Sequence, residues 1–395
     1  MRGRRVVLVA SAVVLAVVAI FLLATATARG TPPAGNFEPR PVDDEWHAPS
    51  GRGHEIRRLA LREAHVRIAP PQSAGVTVLS ANPADPSGLL SRDPVTCRFL
   101  PRTPSGTTPK FDCVLNGGEI VRVKYGRSPE RHAEIAATRL LSYVGFGADR
   151  VYEVPRLRCY GCPREPFTAV KALTMVGLRD LFLRAIGDEG YTDFEWVAVE
   201  RRFDGKTIAD ADVEGWGWFE LKEIDPGVGA PRADVDALRL VGLFLAHWDN
   251  KPDNQRLVCL PGAEPRPNGS CPQPFALIDD LGASFGPRKV DFDGWQRAPI
   301  WSDPQTCTAT MRDLPHRGGT FVDVQIAEAG RQQFLESFSR LRDEDITALF
   351  EAARFAAHDP LGGRPRKATE WTALFRERVR RIADAGPCPP VLEAP

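Results

Sequence analysis

The densest set of chemically useful side chains in this 395-residue chain lies in two short segments. They are His247-Trp248-Asp249-Asn250-Lys251-Pro252-Asp253-Asn254 and Ile278-Asp279-Asp280-Leu281-Gly282. Carboxylates and a carboxamide are hard oxygen donors of the kind a small divalent cation takes, and a lysine among them adds a positive charge on a flexible stem. A plain polar turn after a helix is also rich in Asp, Asn and Pro. The two readings separate on the rest of the chain. Chemistry at a phosphoryl group needs the phosphates held, their charge neutralised and the nucleophile positioned.

Upstream segments supply groups of that kind. Val121-Arg122-Val123-Lys124 is a short strand pattern ending in a lysine. Glu134 follows on a helical pattern with Ile135, Ala137, Leu140 and Leu141, and Glu130 lies one turn earlier. Ser105-Gly106-Thr107-Thr108-Pro109-Lys110-Phe111 precedes the strand. There Gly106 permits close backbone approach, the hydroxyls of Thr107 and Thr108 can donate to phosphate oxygens, and Lys110 adds charge.

The run 247–254 resembles the His-Arg-Asp-Leu-Lys-Pro-Glu-Asn catalytic loop of protein kinases, with His, Asp, Lys, Pro and Asn in register. Asp280-Leu281-Gly282 resembles their Asp-Phe-Gly turn, and 280–286 resembles the Asp-x-Gly-x-x-Phe-Gly segment of secretory-pathway kinases. The strand at 121–124 is similar to Val-Ala-Ile-Lys, and 105–111 to the Gly-x-Gln-Pro-Lys stretch of HipA-type kinases without its Gln. The resemblance covers residues 104–290 and is to the atypical branch shared by HipA-type, phosphoinositide and secretory-pathway kinases. The Cys259–Cys271 insert lengthens the Asn254-to-Asp280 spacing beyond that of generic protein kinases.

The resemblance implies ATP and Mg²⁺, or Mn²⁺ in its place, as cofactors. It implies Asp249 as the base and Lys251 as a contact to the transferred phosphate. Asn254 and Asp280 become the metal ligands, with Asp279 the alternative to Asp280. Lys124 and Glu134 become the phosphate clamp, with Glu130 the fallback, and Gly106, Thr107, Thr108 and Lys110 cover the phosphates. His247 supports the loop. Trp248 stands where the family has Arg, so control through a phosphorylated activation segment is not implied. Glu200, Arg201 and Arg202 either shape the nucleotide pocket or face solvent.

The elements that must position these groups follow from periodicity and turn chemistry. Strands are expected at 76–79, 111–115, 119–125, 167–173, 196–203, 257–259 and 275–278. Asn116-Gly117-Gly118 marks a hairpin. Ser128-Pro129 starts a helix that ends at Gly145 or Gly147. Further helices are expected at 54–66, 233–247, 322–340, 343–357 and 368–385, the last with a solvated basic face at Arg376–Arg381. The expected fold class is α+β and bilobal, with a small antiparallel β lobe bearing one helix and a larger, mainly helical lobe. The corresponding boundaries are 1–29 for an N-terminal signal or anchor helix, 30–95 for a linker and extension, 96–205 for the small lobe and 206–395 for the large lobe.

Composition bounds the setting. Fifty-one basic residues balance 51 acidic ones, with no charged tail to argue for nucleic acid. Arg2, Arg4 and Arg5 precede an uncharged stretch, 6–28, of spanning length. It is expected to be a membrane anchor or a cleaved signal, with the rest of the chain outside the cytoplasm. Eight cysteines suit an oxidising compartment, and the expected pairs are Cys97–Cys113, Cys159–Cys162, Cys259–Cys271 and Cys307–Cys388. The leading expectation is an extracytoplasmic phosphotransferase acting on a hydroxyl of a protein, sugar or lipid. An adenylyltransferase on the same fold and a non-catalytic anchored scaffold are the alternatives. A disulfide oxidoreductase using Cys159 and Cys162 is a third.

Overall fold

The computed structural model describes residues 27–391 apart from 31, 42–43, 69–74, 176, 182–189, 211–212, 315–319 and 359–363. The expected anchor at 6–28 therefore lies outside the described residues except at its end, where Ala28 and Arg29 pair with Tyr191 and Gly190. Among the described residues no helix is long and apolar enough to cross a membrane.

In chain order the elements are β1 (Ala28–Arg29), α1 (Gly53–Arg62), α2 (Thr77–Ser80), β2 (Val95–Leu100), β3 (Lys110–Leu115), β4 (Ile120–Lys124), α3 (Glu130–Val144), β5 (Arg150–Tyr160), α4 (Pro166–Met175) and β6 (Gly190–Arg201). They continue with β7 (Lys206–Thr207), α5 (Arg232–Leu245), β8 (Gln255–Cys259), β9 (Pro274–Ile278), α6 (Phe292–Arg297), β10 (Trp301–Asp303), β11 (Thr308–Ala309), β12 (Val324–Gln325), α7 (Glu328–Ser339), α8 (Asp343–Ala352) and α9 (Ala368–Ala383). They form two compact units. One holds residues within 1–41, 84–128 and 152–201, and the other holds 42–83, 129–151 and 202–395.

The first unit is a sheet in the order β1-β6-β4-β3-β2-β5, with β6 also paired to β5, so the sheet closes on itself. Closure removes the open edges that a free sheet would present. Alternation along β3 and β4 sends Phe111, Cys113, Val121 and Val123 into an apolar core with Phe99, Tyr125 and Phe194. The other face carries Lys110, Asp112, Arg122 and Lys124, with Lys110 opposite Lys124 and Asp112 opposite Arg122. The hairpin at 116–118 forms, but the left-handed backbone falls on Gly117 and Gly118 rather than on Asn116.

The second unit is built around α5. Phe244 on its buried face meets Phe375 at 4.8 Å, Phe338 at 5.1 Å and Trp295 at 5.6 Å. Arg378 on α9 is completely buried and donates to the carbonyls of Leu243, Phe244, Trp295 and Ala298. This corrects the expected solvated face at 376–381. A guanidinium carries five donors, and four main-chain carbonyls at helix and turn ends supply the partners that water otherwise would.

Three other expectations are corrected. Residues 167–173 are not a strand but the body of α4. Pro166 opens it, and Ala169, Val170 and Leu173 bury one helical face. The segment at 76–79 is a single helical turn, α2, packed by α3 and α8. Short apolar runs do not distinguish strand from helix, and packing decided both. The helix expected from 322 begins only at Glu328, because Val324–Gln325 pairs with β11 instead. All four expected cysteine pairs are bonded, with Cα–Cα separations of 5.5–5.8 Å. Cys159 and Cys162 are fully buried, which fits a structural bridge and not an exposed redox pair.

Candidate active site

In the second unit the segments 247–254 and 278–286 are stitched together at both ends. Helix α5 stops at Ala246, whose backbone is left-handed. Just beyond that stop, the Trp248 amide donates to the Ala283 carbonyl at 3.1 Å, and the Phe285 amide donates to the Leu245 carbonyl at 2.7 Å. At the other end the Asn254 carbonyl accepts from the amides of Asp279 and Asp280, at 2.9 and 3.1 Å. Asn254 Nδ2 donates to the Asp249 carbonyl. Asp249, Asn254 and Asp280 are thereby brought into one cluster by main-chain bonds.

The choice between the two adjacent aspartates is made by Arg256. Its Nε donates to Asp279 Oδ1 at 2.6 Å and its Nη2 donates to the buried Asp149. Burial alone would lower the guanidinium pKa, but Asp149 and Asp279 hold it above its ordinary value. Asp279 is committed to that pair. Asp280 instead turns toward the loop and accepts the Gly282 amide at 3.0 Å, fixing the turn.

Gly282 has no room for a side chain, since a Cβ there would meet Glu130 Cγ at 2.0 Å. Glu130 is ion-paired with Lys289, so the fallback acid is occupied within its own unit. Phe285 has a φ of 61° and is fully buried, with Trp295 at 5.1 Å and Phe355 at 5.1 Å. That anchor holds the end of the turn in place.

His247 is completely buried, and burial pushes its imidazole down to about 4. It is neutral at ordinary pH, with Nδ1 3.5 Å from Ser284 Oγ. Lys251 is half-exposed, with its Nζ 4.0 Å from Asp249 Oδ1. Trp248 lies with its ring 5.9 Å from Lys289 Nζ.

In the first unit Lys124 is 1% exposed. Its partner there is Glu200 at 3.4 Å, and Glu200 also faces Arg122 at 3.8 Å. Sequence reading left Glu200 undecided. Its signal was register, because Arg122 sits opposite Glu200 on β6 and Lys124 is two residues along the same face. Arg201 points to the other face, where it binds Glu119 at 2.9 Å, Asp85 at 3.2 Å and Tyr152 Oη at 3.2 Å. Arg202 is solvent-facing and pairs with Asp44.

Lys110 and Lys124 are both buried on one face of the sheet, directly opposite each other. Like charges in that relation repel, and Glu200 beside Lys124 offsets part of that repulsion. Gly106 has a φ of 69° and lies over Lys110, whose Nζ is 3.7 Å from where a Gly106 Cβ would be. Lys171 donates to the Gly106 carbonyl and holds the loop down. Thr107 is exposed and Thr108 is buried. Glu134 is completely buried on α3, in the other unit from Lys124.

The donor set of the second unit suits a hard divalent cation. With Nδ2 of Asn254 committed to a carbonyl, its Oδ1 is the end able to ligate, and Asp280 adds a carboxylate.

No family model and no curated protein matches the chain. Among solved structures, a proinflammatory kinase of Helicobacter pylori, CtkA, is similar over 73% of this chain and 94% of its own, at 10% identity and a TM-score of 0.41. The Golgi casein kinase is similar over 90% of this chain and 94% of its own, at 11% identity and a TM-score of 0.36. A structure of the Golgi casein kinase with Mn/ADP bound is similar over 78% of this chain and 74% of its own, at 12% identity and a TM-score of 0.33. At these scores the likenesses are remote, and none of them assigns this chain to a family.

Proposed function

We propose that this chain is a metal- and ATP-dependent phosphotransferase acting on a hydroxyl acceptor outside the cytoplasm. The observation that carries the reading is the double stitch between 247–254 and 278–286, which gathers Asp249, Asn254 and Asp280 while Arg256 takes Asp279 away. Polar surface turns have no need of such bonds.

In this reading Asn254 and Asp280 hold the divalent cation, which supplies neutralisation of phosphate charge. Asp249 orients the acceptor hydroxyl and takes its proton, and Lys251 contacts the transferred group. Lys124, with Lys110 and the 106–108 loop, meets the nucleotide phosphates. Neutral, buried His247 serves the loop's shape. Four disulfides support an oxidising compartment. Membrane attachment through 6–28 belongs to the same proposal.

The test is calorimetric titration of the full chain with ATP, with and without Mg²⁺, beside Asp280→Ala. Binding that requires the metal and is lost in a folded variant supports the reading. Absence of binding at saturating nucleotide defeats it. Mass spectrometry of the product then separates transfer of phosphate from transfer of AMP.

A further inference from the structure

Within the second unit a cavity of about 550 Å³ opens beside α5, apart from the residues assigned above. Its walls are mostly apolar, with Trp218, Leu221, Val235 and Phe321 prominent, and its size is that of a small-molecule site. Its polar lining has one sign. Lys222, which pairs with Glu223 outside the lining, Arg232 and Arg239 contribute to it, and among the described residues no acidic one does.

The nearest carboxylate behind that wall is Asp236, which is fully buried. It accepts from Arg232 Nε at 2.8 Å, from Arg239 Nη1 at 2.7 Å and from the Ala327 amide at 2.9 Å. One carboxylate thus serves two guanidiniums. Arg239 is 3% exposed, and its Nε–H has no hydrogen-bond partner among the described residues. A buried guanidinium donor without an acceptor is costly, and burial lowers the Arg239 pKa despite Asp236. An anionic group entering the cavity would balance the excess positive charge that Arg232 and Arg239 place on its lining.

We infer that this cavity binds a small amphipathic monocarboxylate, with its carboxylate at Arg239 and Arg232 and its apolar body against Trp218, Leu221 and Phe321. The cavity shares a wall with the loop cluster. Trp218 stands 6.2 Å from His247, ring centre to ring centre, and closes against Gly242 of α5. The inference is independent of the nucleotide reading, because it concerns other residues and is read by binding alone.

Octanoate is the probe and 1-octanol its uncharged counterpart, each titrated calorimetrically into the full chain. Saturable octanoate binding at least tenfold tighter than octanol is expected. Arg239→Met should abolish that preference. Because Arg239→Met also disturbs Asp236, a second variant is needed. Val322→Trp adds bulk at a half-exposed cavity wall, and it should keep the parent melting temperature while weakening octanoate at least tenfold. Hydrogen-exchange protection by octanoate should fall on 218–224 and 320–324. Equal binding of octanol and octanoate, no octanoate binding, or binding unchanged by Val322→Trp would each overturn the inference.

Discussion

The two regions that hold the candidate chemistry are built on opposite principles. In the second unit, the 247–254 and 278–286 segments are fixed by main-chain hydrogen bonds, and one buried arginine selects between adjacent aspartates. In the first unit, Lys110, Lys124, Arg122 and Glu200 are fixed by strand register, and their charges face one another across a sheet. The lesson is that irregular backbone needs its own bonding network to hold ligands, whereas a sheet positions side chains by pairing alone.

The difference can be pressed first with pH. All seven histidines lie in the second unit's residues and none in the first. His132 is buried, and burial, aided by Arg131, lowers it to about 4; its Nδ1 is 2.8 Å from the Ala353 carbonyl. A folded-state value below the unfolded one near 6.5 means the unfolded chain binds the proton first. Stability from keeping His132 neutral is therefore present above pH 6.5 and lost as pH falls toward 4, by roughly 3 kcal/mol. Hydrogen exchange should accelerate in α3 and α5 over that window and not in β3 and β4. The His132→Gln variant should flatten the response.

Next in size is Arg256→Met. Removing the guanidinium that pairs with buried Asp149 and partly buried Asp279 should cost about 3 kcal/mol in urea unfolding. The structural reading also requires that Asp149→Asn with Asp279→Asn in the same background recover part of that loss. If Arg256→Met is neutral, the locked character of the loop cluster is wrong.

Asp280→Ala should cost about 1 kcal/mol in urea stability, because it removes the carboxylate that accepts the Gly282 amide. It should weaken metal-dependent ATP binding on the order of a hundredfold, measured by calorimetry. The smallest effect is expected on the sheet side. Lys110→Met should weaken ATP roughly tenfold, about 1.4 kcal/mol, measured by calorimetry. Unchanged affinity would remove Lys110 from the nucleotide reading.

Much of this was legible beforehand where local rules are strong. Gly145 ends α3 in the left-handed conformation, the helical pattern expected from 233 is α5, and the Asn116-Gly117-Gly118 turn joins β3 to β4. The four cysteine pairs were also expected. The misreadings at 76–79 and 167–173 share one cause, since a mostly apolar segment of four to seven residues satisfies strand and helix equally until neighbours pack on it. Arg378 failed for a related reason. Its sequence neighbours are basic and polar, and only the convergence of four carbonyls from α5, α6 and the turn beyond made burial tolerable.

The sequence by itself determined the order of the chemical groups along the chain and the local turns that present them, whereas the cysteine pairing was an expectation that the structure bore out. These rest on spacing, on glycine and proline geometry and on short loops. Tertiary structure alone decided that Asp279 belongs to Arg256, that Lys124 meets Glu200 and that Glu130 meets Lys289. Each is a contest for a charge between residues far apart in sequence or on different faces. Such contests are settled by distance and burial, which no local pattern encodes.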